Sequence, residues 1–455
     1  MTKVDVILIS PPAPSPSVHL LDKAGTPPIG LGYLATCLAK EGFKVRIIDL
    51  AIPSKNIETI ISAIKENKPK IVGISTATET YKTTVRIANE IKKISTNCDI
   101  VFGGYHASFE YATVLKENAI DYVVLNEGEI SFTNLCKFLI RGVGDIEAVR
   151  GIVYKKNGDI ICTTPEPFIE NLDILPILDR SHFEDAHEYT HFATVSTSRG
   201  CPGKCIFCAA SVLSGGRHRM RSAKSIIEEF ELLKEKGFEN VYVVDDTMTA
   251  NTRRLNEFLD MLIKKNLQMT WFCESRVDIL SYELLRKMRR AGLTGIQVGA
   301  ESGSQEILDS VNKGITLAQV HNVFKWCKEL EVSAATNLII GQPTDTRETI
   351  QETIRMAHDL TSLGAQVTFS VSTPFPGTPM WIKPGEFGMK IIDFDLSHYN
   401  AFCPVFNTRH LTAAEIRNEY YLAVKKIDKA QRKNKIDSDG NNLDVHSRVL
   451  SSWFE

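Results

Sequence analysis

Two series of short apolar runs, each run followed by a helix-patterned stretch, constrain this chain more than any other feature. In the first, strand-like runs at Val4–Ser10, Lys44–Asp49, Ile71–Ser75, Ile100–Gly103 and Tyr122–Leu125 alternate with helical stretches. One of these is Gly30–Lys40, where Leu31, Leu34, Ala35 and Leu38 share a face and Gly42 supplies a stop. Strands separated by helices pair in parallel, so residues 1–145 predict an α/β unit on a doubly wound, Rossmann-like parallel sheet. The second series has runs at Ala193–Ser198, Asn240–Val244, Thr270–Ser275, Gly295–Val298, Ala334–Ile340 and Gln366–Ser372. Six successive βα-type units predict a partial (β/α)6 TIM-like barrel over 191–385 rather than an open sheet. Between the series, residues 146–190 read as a linker that crosses between domains. It holds a hairpin turning at Asn157-Gly158 and then a proline-rich stretch. Residues 386–455 read as a small helical C-terminal segment, with a helix near Thr412–Lys429 and an apolar end at Val449–Phe454.

Composition narrows the function classes. With 43% hydrophobic and 24% charged residues, the chain is neither collagen-like nor bulk-disordered. Its 53 basic and 55 acidic residues give a net charge of −2, so no global field recruits nucleic acid or an anionic membrane. The longest apolar runs are strand-sized, short of the ~18–20 residues a membrane span needs. The first residues enter a βα pattern rather than a signal-peptide cleavage site. A cytoplasmic protein without nucleic-acid or membrane partners is expected.

Seven of the ten cysteines are scattered, but Cys201, Cys205 and Cys208 form a C-x3-C-x2-C cluster directly after the first barrel strand. That is the end at which (β/α) barrels carry their active sites. In a reducing compartment such a cluster reads as metal or redox chemistry before disulfide. Thiolates are the usual ligands of iron–sulfur clusters, and three of them on a four-iron cluster leave one iron open to an exogenous ligand. A closed structural zinc site wants four ligands, and no second Cys or His pair lies nearby at suitable spacing. The other barrel strands end in polar or backbone-special residues: Asp245-Asp246, Glu274 and Arg276, Glu301-Ser302, Gly341-Gln342-Pro343 and the run Thr373–Thr378.

With Phe207 in the aromatic position before the last cysteine, the cluster resembles the CxxxCxΦC signature of the radical S-adenosylmethionine enzymes. The resemblance implies a [4Fe–4S] cluster on Cys201, Cys205 and Cys208. It implies S-adenosylmethionine chelating the open iron, reductive cleavage to a 5′-deoxyadenosyl radical, and a flavodoxin- or ferredoxin-like electron donor. The implied S-adenosylmethionine set is Phe207, Asp245, Glu274, Arg276, Glu301, Ser302 and Gln342. In it the carboxylates take the ammonium or ribose hydroxyls, and Arg276 forks the carboxylate. Plainer readings stay open: Arg276 neutralises Asp278 or Glu274, Asp246 caps a helix, and Ser302 caps the helix beginning near Ser304. Arg219 and Arg221, in the basic stretch Gly216–Arg221, are candidates for an anionic group of cofactor or substrate. Tyr399, with Phe402, Phe406 and Arg409, either lines a substrate entrance or packs against the barrel.

The first series carries no G-x-G-x-x-G and no P-loop. Its segments PPIGLGYLATCLAKEGFKVRIIDL, VGISTAT, VFGGYHAS and LNEGEISF resemble, in order, the cobalamin-binding domain that precedes the radical barrel in the cobalamin-dependent subgroup. The resemblance spans about residues 1–380. It implies cobalamin contacts at Pro12, Gly30, Ser75, Thr76, Thr78, Gly103, Gly104, Tyr105, His106, Glu127 and Gly128. Gly103-Gly104 would let a large ligand approach the backbone closely. The D-x-H-x-x-G motif whose histidine ligates cobalt in mutases is absent, and Asn126-Glu127-Gly128-Glu129 stands where the subgroup often has GEGE. A cobalamin without its own base or a protein histidine as lower ligand is therefore expected. The implied activity is methyl transfer from S-adenosylmethionine, through methylcobalamin, to an unactivated carbon of a peptide, protein or small molecule. Cyclisation, ring contraction or oxidation without methyl transfer is the alternative, and a sheet that no longer binds cobalamin stays open. A cofactor-sensing regulator fits less well, since no effector or DNA-binding domain is appended to the barrel.

Overall fold

The computed structural model describes residues 4–12 and 24–436, so the apolar end at Val449–Phe454 lies outside the described residues. The chain divides into two compact units at Phe192/Ala193.

The first unit runs β1 (Val6–Ser10), α1 (Ile29–Lys40), β2 (Val45–Asp49), α2 (Ile57–Asn67), β3 (Ile71–Ser75), α3 (Tyr81–Ile94) and β4 (Asp99–Gly103). Short α4 (Tyr105–Phe109) and α5 (Tyr111–Val114) follow, then β5 (Tyr122–Val124), α6 (Gly128–Arg141), β6 (Ile152–Lys156) and β7 (Asp159–Cys162). The sheet order is β2-β1-β3-β4-β5-β6-β7, with the first five strands parallel. Ile7, Leu8 and Ile9 are fully buried, as strands covered on both faces require. Such doubly wound sheets hold ligands outside the carboxyl ends of the strands where the order reverses, here β1 and β3.

Residues 146–190 do not form the expected linker. β6 and β7 extend the sheet antiparallel beyond β5. Their turn is the expected tight one, with Asn157 at φ 56° and Gly158 at φ 92°. Beyond it, Leu178 and Phe183 press on α1 at Gly32, where a Cβ would stand 2.7 Å from each. Tyr189 donates to Asp49 at 2.9 Å. The prolines read as punctuation; the apolar residues between them complete the core of the first sheet.

The second unit begins with β8 (Thr194–Val195), β9 (Ser198–Arg199), α7 (Ala209–Leu213), β10 (Arg219–Met220), α8 (Ala223–Glu235) and β11 (Asn240–Val243). It continues through α9 (Thr252–Lys265), β12 (Thr270–Ser275), α10 (Tyr282–Arg290), β13 (Leu293–Val298), α11 (Gln305–Ser310), α12 (Leu317–Glu329) and β14 (Ser333–Ile340). It closes with α13 (Arg347–Ser362), β15 (Gln366–Val371), α14 (Pro379–Ile382), β16 (Lys390–Ile391), β17 (Phe406–Asn407) and α15 (Ala413–Ile436). Six parallel strands stand in the order β8-β11-β12-β13-β14-β15, the expected partial barrel. Ser222 caps α8 by accepting from the Ser225 N–H, and Ile226, Phe230 and Leu233 bury the helix face.

The C-terminal residues are not an appendage to this barrel. Ile416, Ala423, Val424 and Ile427 of α15 belong to the barrel's own core. Tyr399 is 1% exposed, donates to the Asp393 carbonyl at 2.9 Å and meets Trp381 edge-on. Phe406 is buried beside it in the same core. Tyr399 therefore packs the core and lines no entrance. No described helix is long and apolar enough to cross a membrane.

Candidate functional site

The cysteine loop leaves the barrel through a narrow neck. The expected single strand over Ala193–Ser198 is broken into β8 and β9, because Asp245 takes the Thr197 and Ser198 N–H groups at 2.6 and 3.0 Å. β9 then pairs antiparallel with β10, closing the loop between them. Gly200 enters at φ 85°, and a Cβ there would lie 2.1 Å from the Arg217 carbonyl, so only glycine fits. Its N–H donates to Asp246 at 3.0 Å.

Cys201 Sγ accepts from the Gly203 N–H at 3.4 Å and from Thr247 Oγ1 at 3.2 Å. A Cβ on Gly203 would stand 3.4 Å from Cys201 Sγ, 3.8 Å from Cys205 Sγ and 2.9 Å from Arg276 Nη1. Two thiols and a guanidinium thus surround one bare glycine. The Cys208 thiol meets the N–H groups of Ala210 and Ser211 at the start of α7. Burial pushes the Cys205 and Cys208 thiols up, while the Lys313 and Arg276 cations pull Cys205 back down. None of the ten cysteines, all among the described residues, is in a disulfide. Among the described residues, no three His, Cys, Asp or Glu side chains converge as a single-ion site. Three free thiols on one loop, N–H groups aimed at sulfur and adjacent cations make a donor set that fits a cluster of net negative charge.

Several expected ligands turn out to be structural. Asp245 accepts two N–H groups on Oδ1, and the Thr197 and Ser198 hydroxyls on Oδ2. Its lone pairs are taken up in tying β8 and β9 to β11, which leaves none for S-adenosylmethionine. Arg276 pairs with Asp278 at 3.0 and 3.2 Å and donates to the Lys313 carbonyl at 2.7 Å, the plainer of its two readings. Ser302 Oγ accepts the Ser304 N–H at 3.2 Å and meets Thr353, so it holds the turn into α11. Arg221 is buried on Glu229, Ser225 and the Ser196 carbonyl. Arg219 lies in the β9–β10 ladder, 5% exposed. Neither arginine is presented to an anionic ligand. Asp246, read as a cap, instead pins the cysteine loop.

Others stand open to a ligand. Glu274 lies on the half-buried face of β12, its carboxyl raised by burial, with the Tyr242 hydroxyl 3.3 Å away. Phe207 packs, partly buried, on the barrel core. Glu301 occupies the left-handed region at φ 63°, a strained position for a non-glycine residue, and pairs with Lys313 at 2.6 Å. Gln342 is fully buried; its Oε1 accepts from Ser372, while Nε2 has no partner among the described residues.

The sequence reading missed Tyr242, Asn337, Thr368 and Ser370, which share this half-buried face. Asn337 donates to Ser370 at 2.7 Å and accepts from Thr368 at 3.1 Å. Their signal was available: polar residues at alternate positions of otherwise apolar strands. Lys313, in the turn after α11, gave no such signal.

In the first unit the strand ends offer backbone rather than charge. Gly104 has φ 91°, and a Cβ there would meet the Thr76 carbonyl at 2.8 Å and N at 2.9 Å. At Gly103 nothing comes nearer than 3.9 Å. Thr76 Oγ1 is buried without a partner among the described residues, and half-buried Ser75 stands beside Gly104. Pro12 is half-buried and Gly30 is exposed, with nothing among the described residues within 4 Å of a Cβ there. This bare shelf with an orphaned hydroxyl fits a broad, flat ligand such as cobalamin.

The remaining expected contacts serve the fold. Thr78 donates its N–H to Tyr105 and its side chain meets His106, while Tyr105 donates to Glu79 at 2.7 Å. His106 is 1% exposed and packs on Tyr81 with centroids 4.7 Å apart. Burial lowers its pKa to about 4, which marks a core histidine. Glu127 accepts the Ile169 N–H at 2.9 Å, and Gly128 lets α6 approach Leu34 of α1.

Residues 23–136 match the B12 binding domain family, and residues 195–357 match the Radical SAM superfamily. An uncharacterized methyltransferase of Pyrococcus horikoshii is 32% identical over 428 residues, covering 91% of this chain and 90% of its own. The anaerobic magnesium-protoporphyrin IX monomethyl ester cyclase of Rubrivivax gelatinosus is 30% identical over 402 residues, 86% of this chain and 71% of the cyclase. Among solved structures, the radical S-adenosylmethionine methyltransferase TsrM of Kitasatospora setae, with cobalamin and a [4Fe–4S] cluster bound, superposes with a TM-score of 0.74. It is 18% identical, covers 94% of this chain and 89% of its own, and shares the fold.

Proposed function

Since the chain belongs to the family of cobalamin-dependent radical S-adenosylmethionine enzymes, we propose that it transfers a methyl group from S-adenosylmethionine to an unactivated carbon of a peptide, protein or small-molecule substrate. The observation that carries this reading is the loop in which Cys201, Cys205 and Arg276 surround Gly203 at the carboxyl end of a partial barrel. When bound, the cluster and S-adenosylmethionine supply the radical, and cobalamin carries the methyl group.

The chain's residues bind and orient. Cys201, Cys205 and Cys208 hold the cluster. Glu274, its carboxyl raised by burial, takes the ammonium or a ribose hydroxyl. Gln342 Nε2 donates to whatever polar group reaches it. Phe207 stacks near the adenine. Pro12, Gly30, Ser75, Thr76, Gly103 and Gly104 form the shelf for cobalamin. A flavodoxin- or ferredoxin-like protein supplies the electron, and ten cysteines without a disulfide suit a reducing compartment such as the cytoplasm.

The cyclase relative favours a second reading, ring formation without methyl transfer. Anaerobic reconstitution with iron, sulfide and hydroxocobalamin, followed by incubation with methyl-labelled S-adenosylmethionine, separates the two. About four irons and one cobalamin per chain, with label on the cobalamin, support methyl transfer. Deoxyadenosine formed with no label on the cobalamin supports the cyclase reading.

A further inference from the structure

Lys313 is a lysine buried to 7% exposure, paired with Glu301 at 2.6 Å. A buried ion pair costs desolvation and is weak evidence for stability, so its position asks for another reason. Lys313 and Glu301 fill the space beside Gly299, where a Cβ would stand 2.7 Å from Nζ and 2.3 Å from the Glu301 oxygen. The same turn carries the cysteine loop. The Val311 carbonyl accepts the Ile206 N–H at 3.2 Å, and the Lys313 carbonyl accepts Arg276 at 2.7 Å. Arg276, held by the Lys313 carbonyl, in turn lies 2.9 Å from where a Cβ on Gly203 would stand, beside Cys201 and Cys205.

Resting on the cluster assignment above, we propose that Lys313 is a positioning residue that sets the reduction potential of the cluster held by Cys201, Cys205 and Cys208. A cluster gains one negative charge when it takes one electron from a reductant, and a cation in a water-poor site stabilises that reduced form. Glu301 carries the opposite charge 2.6 Å from Lys313 Nζ, so removing either member of the pair changes the field at the loop with opposite sign.

The test is a reductive titration with dithionite and mediators, followed by electron paramagnetic resonance, on reconstituted full-length protein without S-adenosylmethionine. Lys313→Met with a full complement of iron should lower the midpoint. At the wild-type midpoint its reduced fraction should fall from half to about a tenth, the change a tenfold shift in the equilibrium gives. Lys313→Arg should titrate like wild type, and Glu301→Gln should shift the opposite way. Lys313→Met titrating at the wild-type midpoint with full iron overturns the proposal. Where Lys313→Met holds no iron, Glu301→Gln decides alone, and an unshifted midpoint overturns it. Wild-type protein that takes up no cluster defeats the cluster assignment first, at the iron count, and the proposal with it.

Discussion

At the carboxyl ends of β3 and β4 the first unit presents glycine, backbone and an orphaned threonine hydroxyl; at those of β11, β12 and β13 the second presents Asp246, Glu274 and Glu301 with Lys313 behind it. The contrast follows from what each must hold. A corrinoid is broad and binds by area, so side chains at the strand tips would obstruct it. Under the proposed function, S-adenosylmethionine and an anionic cluster, smaller and charged, would be held by fixed charges in a water-poor site.

The sharpest way to break the comparison is to remove one thiol. Replacing Cys201, Cys205 or Cys208 by Ala should abolish deoxyadenosine formation while cobalamin content, read by absorbance, stays at the wild-type level. Retained deoxyadenosine formation would sink the cluster assignment. The reciprocal change is Gly104→Val. It forces a side chain onto the Thr76 backbone at φ 91°, a conformation costing about 1–3 kcal/mol before any clash is counted. Cobalamin uptake should be lost with the iron count intact; unchanged uptake would place the ligand elsewhere.

Within the second unit the comparison separates a structural carboxylate from a binding one. Asp245→Ala strands the donors of Thr197 and Ser198, and should cost about 3–5 kcal/mol of stability in urea unfolding. Glu274→Gln should cost under about 1 kcal/mol, yet weaken S-adenosylmethionine binding by calorimetry. Equal stability losses would mean that Glu274, too, is structural.

These cases show what the sequence makes legible. Both sheets, the Asn157-Gly158 turn and the cysteine loop follow from period and spacing, because local pattern determines them. Asp245 and Glu274 look alike in sequence, as acidic residues near strand ends. Only the partners that β8 and β9 bring to Asp245 tell them apart, and those lie 47 and 48 positions away. Tyr399 and Arg221 fail for the same reason: a polar or aromatic residue in a loop-like stretch can be completed by the core. In the 146–190 stretch the prolines hide the apolar residues that α1 and the first sheet require, so the sequence reads as a linker where the structure packs Leu178 and Phe183 on Gly32.

The smallest effect concerns the shelf's own support. His106 lies one residue past the Gly104–Tyr105 turn, and burial holds its pKa near about 4 against 6.5 for the exposed ring. The unfolded chain takes up a proton as pH falls through 6.5, whereas the native ring does not until about 4. Stability of the first unit is therefore full above the unfolded value and is lost progressively as pH falls between the two, by about 2 kcal/mol at pH 5. Asp49, whose carboxyl burial raises, titrates in the opposite sense. The difference between wild type and His106→Gln therefore isolates the ring. Hydrogen exchange at the β3 and β4 amides, followed from pH 7 to 5, should show acid-dependent opening in wild type and a flatter profile in the variant. Parallel profiles would mean that the native ring titrates as it does in the unfolded chain and so faces solvent. A flatter variant profile with unchanged cobalamin absorbance would leave the shelf without a protein histidine on cobalt.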